Sequence, residues 1–330
     1  MTPAAPWISA PGKVFLAGEY AVLAGHPAVV AAVNRRARGR FVAHAEPATP
    51  LVAEALRAVR EHLAPLGIEP PPGAPLIDSS ALSDEGQSAG RGTGDGPRGG
   101  KLGIGSSAAA AAVAVGALLE AAGRDGEADR FLTFTLADRA HRAAQGGRGS
   151  GGDVAAAVFG GVISFQRPGA TEPVIQPLGP VPGELVLFSA GPPSATVEGI
   201  RGAEALAGRN PDRYHCLMRE IGAAADGLLR AWQAADRPAV VQAIRASGLA
   251  LDALARNAEL PIWTEPVRAA ATLAQELGGA AKPSGAGGGD VGLAFFADAE
   301  AAQAFRARGA RLGLGILNIL IDPRGLGRGD

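Results

Sequence analysis

Residues 101 to 115 read KLGIGSSAAAAAVAV. A lysine leads into a glycine turn, two serines follow, and the alanine-rich run behind them reads as a buried helix. Gly103 and Gly105 let the backbone turn tightly and come close to a ligand. Ser106 and Ser107 stand in the first helical turn, where unpaired amides and the positive helix end favour bound phosphate. No Gly-Lys-Ser or Gly-Lys-Thr follows the glycines, so this is not a Walker loop; its lysine precedes the turn. A capped core helix after a glycine turn would read the same way, and the rest of the chain has to decide between the two.

Lysine usage is the first clue. The chain holds 31 basic residues, of which Lys13, Lys101 and Lys282 are lysine and the remainder arginine. Each lysine lies in or beside a glycine-rich segment: APGKVFLAGEY, KLGIGSSAAA and KPSGAGGGD. A lysine is a compact point charge on a flexible stem, suited to a single phosphate oxygen, whereas arginine is a broad planar fork. The loop at 282–290 falls between a helical stretch and an apolar strand, so it can present several amides to a phosphate. A fourth segment, AHRAAQGGRGSGGDVAAAVF, puts Asp153 at the start of a short helix behind a turn containing Arg148 and Ser150. An aspartate there could equally be a helix cap.

Composition narrows the class. The length of 330 residues predicts two lobes. A formal net charge of -1 lacks the basic field of a nucleic-acid binder or a polybasic membrane surface, so no nucleic-acid or membrane partner is expected. A single cysteine, Cys216, leaves no intramolecular disulfide and no multi-cysteine zinc site, as in a reducing cytoplasm. The N-terminal stretch MTPAAPWISAPGK has no signal-peptide pattern, and the apolar run after Ser107 is broken by Gly116, too weak for a membrane span. A cytoplasmic protein is expected, monomer or homodimer.

Apolar runs predict strands at Lys13–Leu16, Ala28–Val33, Gly161–Phe165, Glu184–Phe188, Val291–Ala297 and Leu314–Leu320. Helical spacing predicts helices at Leu51–Leu63, Ser107–Ala122, Glu127–Gln145, Pro211–Ala234, Pro238–Asn257, Pro266–Leu277 and Asp298–Ala307. Residues 83–100 are glycine-rich with scattered charge and read as a mobile loop overhanging the 101–107 motif. The stretch PLGPVPGE, 177–184, is the linker candidate, dividing the chain into lobes 1–183 and 184–330. The tail RGLGRGD is expected to fray.

Taken in order, PGKVFLAGEY, KLGIGSSAA, GSGGDVAAA and KPSGAGGGD resemble the motifs of the GHMP kinase superfamily, and they span nearly the whole chain. Within it, GEY in the first motif, IDSS before the serine motif, AHRAAQG, and KPSGAGGGD are similar to the phosphomevalonate kinases, as is the turn in GPPSATVEGI. The resemblance implies an α+β fold: an N-terminal α/β lobe with a left-handed βαβ crossover and a ferredoxin-like C-terminal lobe. It implies ATP and Mg²⁺ as cofactors and 5-phosphomevalonate as the small-molecule substrate. Mevalonate kinase, diphosphomevalonate decarboxylase and a catalytically silent sensor are the alternatives.

By the same resemblance Lys13 and Asp153 are catalytic, and Lys101, Gly103, Ile104, Gly105, Ser106, Ser107 and Ala108 hold ATP. Lys13, Tyr20, Arg148, Ser150, Lys282, Ser284 and Gly285 would meet the substrate, while Ser107 and Asp153 would bind Mg²⁺. A phosphomonoester oxygen is already anionic at neutral pH, since its second pKa is about 6. Asp153 is therefore expected chiefly to orient Lys13 and the metal, with proton removal secondary. Mevalonate kinases carry a glutamate metal ligand where this chain has His141, a poor partner for Mg²⁺. His141 is expected to pack or to contact phosphate.

Overall fold

Two runs of small and β-branched residues, Ile8–Ala17 (β1) and Ala28–Ala43 (β2), pair antiparallel from Ile8 opposite Gly39 to Ala17 opposite Val29. Register shifts at Pro11/Gly12 and at Phe15/Ala17 bracket Lys13 to Phe15. Such irregularities re-aim side chains, and here they fall on either side of the lysine. The computed structural model describes residues 5–83, 102–169, 171–191 and 196–329, without the side chains of 196 and 197. Lys101, most of the loop expected at 83–100, and Ser194 of the GPPSATVEGI turn lie outside the described residues.

On the edge of β2 that β1 leaves open, β3 (Gly73–Asp78) pairs with one end and β4 (Val162–Gln166) with the other, both antiparallel to it. β5 (Val174–Leu178) adds beyond β4. α1 (Pro50–Leu63) connects β2 to β3. Between β3 and β4 run α2 (Ser106–Ala121), α3 (Arg130–Ala144) and α4 (Gly152–Phe159). Every residue of α2 from Ala111 to Leu119 is buried, as an all-apolar helix requires. Alanine and Gly116 keep it thin enough to lie between the sheet and the neighbouring helices.

Residues 179–183 carry the chain to a second sheet made of β6 (Glu184–Gly191), β7 (Ala280–Pro283), β8 (Asp290–Phe296) and β9 (Ile316–Leu317). Its order, β7-β8-β6-β9 with all neighbours antiparallel, is the ferredoxin-like arrangement. The first crossover holds α5 (Thr196–Arg209), α6 (Pro211–Gln233), α7 (Arg237–Ala258) and α8 (Glu265–Glu276); the second holds α9 (Ala299–Arg311). One apolar cluster runs from α1–α4 through β1 and β2 to Trp232 of α6, Ile244 of α7 and Phe295 of β8, so the two sheets share a core. None of the described helices is long and apolar enough to cross a membrane.

The seven helices expected from spacing are present, each within a few residues of its expected ends. Several elements differ: β3 and β5 are not among the expected strands, and β1 and β2 run beyond Lys13–Leu16 and Ala28–Val33. α5 went unread because Gly199, Gly202 and Gly208 interrupt its pattern. β7 is four residues long and ends on proline, so nothing in its pattern marks a strand. The strand expected at Leu314–Leu320 shrinks to Ile316–Leu317. The tail is not frayed: β10 (Gly327–Arg328) pairs with Ile8 and Ser9 on the outer edge of β1, and Leu326 is buried. An ion pair of 2.6 Å between Arg36 and Asp322 fixes the approach to it.

Candidate active site

α2 starts behind Gly105, which is left-handed (φ 80°) and supplies no side-chain cap. α4 starts behind Gly151 (φ 89°), also with no side-chain cap. The first amides of α2 are thus left for another acceptor, while at α4 the Gly152 amide donates to Ser150 Oγ at 3.2 Å. Both ends open on one cleft, with Gly103, Gly105, Ser106, Ser107 and Ala108 on one wall and Gly149, Ser150 and Asp153 on another. Asp153 does not cap its helix in the usual way: its Oδ1 accepts the amide of the next residue, Val154, at 2.9 Å.

Lys13 enters between these helix ends. Its backbone amide donates to the Ile104 carbonyl at 2.7 Å, anchoring the glycine turn to β1. The Lys13 stem lies against Gly105, where any Cβ would come within 2.9 Å of its methylenes. Its Nζ stands 5.3 Å from the centroid of the Phe15 ring. Burial lowers the Lys13 pKa below the ordinary value of 10.5; Asp153, then Asp290, then Glu19 oppose that shift. Three carboxylates from three segments thus act on one buried lysine.

The far wall comes from the second sheet. Ser284, Gly285, Ala286 and Asp290 line it, and the Tyr20 hydroxyl donates to the Ala286 carbonyl at 2.6 Å. Burial and then Glu19 raise the Tyr20 pKa, keeping the phenol protonated for that bond.

Residues 94–161 match the GHMP kinases N terminal domain, and residues 236–313 match the GHMP kinases C terminal domain. The chain belongs to the GHMP kinase superfamily. Among curated proteins it is similar to a phosphomevalonate kinase from Streptomyces sp. (strain CL190), 28% identical over 89% of this chain and 90% of that protein. Among solved structures it resembles the Lin0012 protein from Listeria innocua, with TM-score 0.85 and 25% identity over 98% of this chain and all of that one. It also resembles Streptococcus pneumoniae phosphomevalonate kinase in complex with phosphomevalonate and AMPPNP, with TM-score 0.79 and 20% identity over 96% and 99% of the two chains.

In this GHMP kinase the cleft gathers most of the residues expected from sequence: Lys13, Tyr20, Gly103, Gly105, Ser106, Ser107, Ala108, Arg148, Ser150, Asp153, Ser284 and Gly285. Two expectations need correction. The Ile104 side chain is in the core, 1% exposed, and the residue serves the site through its carbonyl. Lys282 does not face the cleft. It lies on β7, fully buried, with Nζ 2.5 Å from Glu19 Oε1 and 2.7 Å from the Pro283 carbonyl. Burial lowers its pKa and Glu19 opposes the change. Its charge is consumed in joining the lobes, so it has no donor directed at substrate.

His141 is buried on α3, with Nε2 3.1 Å from Ser107 Oγ and 2.9 Å from the Gln145 amide nitrogen. It meets the Ser107 hydroxyl through a ring nitrogen. Sequence reasoning missed Glu19 and Asp290. Glu19 lies in the quoted GEY and Asp290 ends KPSGAGGGD, and both act on Lys13. Asp290 has a positive φ of 60° and sits so close to Gly103 that a Cβ there would lie 2.2 Å from its side chain.

A second chamber continues from the first. Tyr20, Val22, Leu23, Arg148, Gly149, Ser150 and Ile200 belong to both walls, and Arg142, Arg167, Glu204 and Tyr214 lie beyond.

Proposed function

We propose that this chain transfers the γ-phosphoryl group of ATP to (R)-5-phosphomevalonate, giving 5-diphosphomevalonate and ADP. The observation that carries the reading is the convergence of the α2 and α4 N-termini, Lys13 and Asp153 on one cleft closed by the Ser284–Asp290 loop. Phosphoryl transfer asks mainly for positioning and for neutralisation of charge on the transferred group. The α2 end and the 103–107 turn would hold the ATP phosphates, and Lys13 would meet the transferred group. The likeness to a curated phosphomevalonate kinase supports the choice of acceptor.

Ser107, Asp153 and Asp290 give the cleft hard oxygen donors, which suit Mg²⁺. Ser107 and Asp153 would hold the ion, and bound Mg²⁺ would neutralise charge on the ATP phosphates. Asp153 orients the Lys13 ammonium through its charge. The acceptor phosphate brings an anionic oxygen of its own and needs little help from a base.

A coupled ADP-release assay with mevalonate, 5-phosphomevalonate and 5-diphosphomevalonate offered separately tests this. Turnover is expected only with 5-phosphomevalonate. Turnover only with mevalonate would make the chain a mevalonate kinase, and activity with none would favour a silent sensor.

A further inference from the structure

The second chamber carries more positive charge than its surroundings explain. The chain as a whole has a formal net charge of -1, so the field there is local. Three guanidinium groups, Arg142, Arg148 and Arg167, line it against two acids, Glu204 on its wall and Asp138 behind Arg167. Glu204 is already placed 3.8 Å from Arg148. The Arg142 side chain, half-buried on α3, makes no hydrogen bond or ion pair among the described residues, though its charge is felt by Asp138. Arg167 is held by Asp138 through Nη2 at 2.7 Å, and its Nη1 is buried with no hydrogen-bond partner.

A buried guanidinium nitrogen with nothing to bind is costly unless a ligand satisfies it. The passage joining this chamber to the Lys13 cleft is flanked by apolar Val22, Leu23 and Ile200 and by Tyr20, Arg148 and Ser150. A ligand threading both spaces is therefore a short aliphatic chain with an anion at each end. The end beside Lys13 and Asp153 must be the one that receives the phosphoryl group. The planar fork of arginine matches a carboxylate at the other.

We propose that Arg142 and Arg167 bind the carboxylate at the distal end of the acceptor. The proposal rests on the phosphoryl-transfer reading above and adds what recognises the non-reacting end. Asp138 fixes the Arg167 fork, and the Gly149–Gly151 turn packs against that pair: a Cβ at Gly151 would lie 2.5 Å from Asp138 Oδ1. Recognition of the carboxylate is thereby built next to the turn that leads to Asp153.

Steady-state kinetics on the full chain, with (R)-5-phosphomevalonate and its C1 carboxamide, test the assignment. The parent should show a KM about 10- to 100-fold higher for the carboxamide with kcat little changed, the size of a lost charge-assisted contact. Arg142→Gln should raise KM for the acid about tenfold, leave KM for the carboxamide and for ATP unchanged, and be partly rescued by Arg142→Lys. Equal KM values for the two compounds in the parent, or equal losses in Arg142→Gln, would overturn the proposal. If neither compound turns over, the phosphoryl-transfer reading fails by itself. Calorimetric titration of the same two compounds then decides the subsite, because a carboxylate site must still prefer the acid, and equal or absent binding overturns it.

Discussion

Ser284 Oγ accepts the amide of Phe15 at 2.9 Å and donates to the Phe15 carbonyl at 3.1 Å. One hydroxyl from the loop after β7 thus serves both backbone groups of a residue two positions beyond Lys13. The second sheet holds the segment of β1 that carries the lysine. Ser284→Ala leaves two buried backbone groups without partners and should cost about 1–3 kcal/mol, read as a lower urea midpoint. kcat should fall with it, while Ser284→Thr keeps part of both.

Glu19 and Lys282 form an ion pair in which both side chains are at most 2% exposed. Removing one partner strands a buried charge, so Lys282→Met alone should lose about 3–5 kcal/mol of stability. The double variant Lys282→Met with Glu19→Gln should recover much of that loss. A denaturation cycle over the four proteins measures the coupling, and additive losses would mean the two charges do not depend on each other.

Lys13 has its pKa lowered chiefly by burial. The free enzyme should therefore lose activity, as kcat/KM, at a pH below the 10.5 of an ordinary lysine. Asp153→Asn removes the largest opposing influence and should move this alkaline limb lower still. Stability runs the other way. The unfolded chain binds the Lys13 proton more tightly than the folded one, so this residue's contribution to stability is present above 10.5 and is lost as pH falls through the depressed folded value. A rise in melting temperature across the window where activity declines would be the signature.

The two roles open to Asp153 separate by acceptor ionisation. If it orients Lys13, Asp153→Asn should lose about the same factor at pH ~5.5 and at pH ~8, on either side of the acceptor phosphate's second pKa of about 6. A variant nearly intact at the higher pH and dead at the lower would mark a base.

Gly103 is left-handed (φ 68°), and a Cβ there would come within 2.2 Å of Asp290. Gly103→Ala should push the ATP-side turn off the loop of the second sheet. The expected result is a KM for ATP raised at least tenfold, the equivalent of about 1.4 kcal/mol in binding. Gly123, left-handed with open space around it, provides the control: Gly123→Ala pays only the backbone strain and should leave KM for ATP as it was.

Helices were legible because their periodicity and end residues agree: Asp298, Asp236 and Asn210 accept the amides of Ala301, Ala239 and Arg213 at the helix starts. The glycine motifs marked the walls of the cleft for the same reason, since left-handed turns leave a trace in composition. What stayed hidden depends on pairing across long separations. Lys282 looked like a phosphate contact because it precedes a glycine loop, yet Glu19, 263 residues away, captures its charge. Arg142 and Arg167 have no local signature; only the fold brings them to the second chamber, whereas Arg148 and Asp290 lie in quoted glycine motifs. β10 is two residues long, and no pattern announces a strand so short.

That last strand sets an order of assembly. Ile8 and Ser9 are synthesised more than 300 positions before the residues covering their outer edge, Gly327 and Arg328. Pairing across so long a separation is slow because the closing loop is large. Until it happens, β1 presents an open backbone edge, the kind of surface on which nascent chains join one another. The Arg36–Asp322 pair is then a guide as much as a bond, drawing the late-arriving segment to the strand that has waited for it.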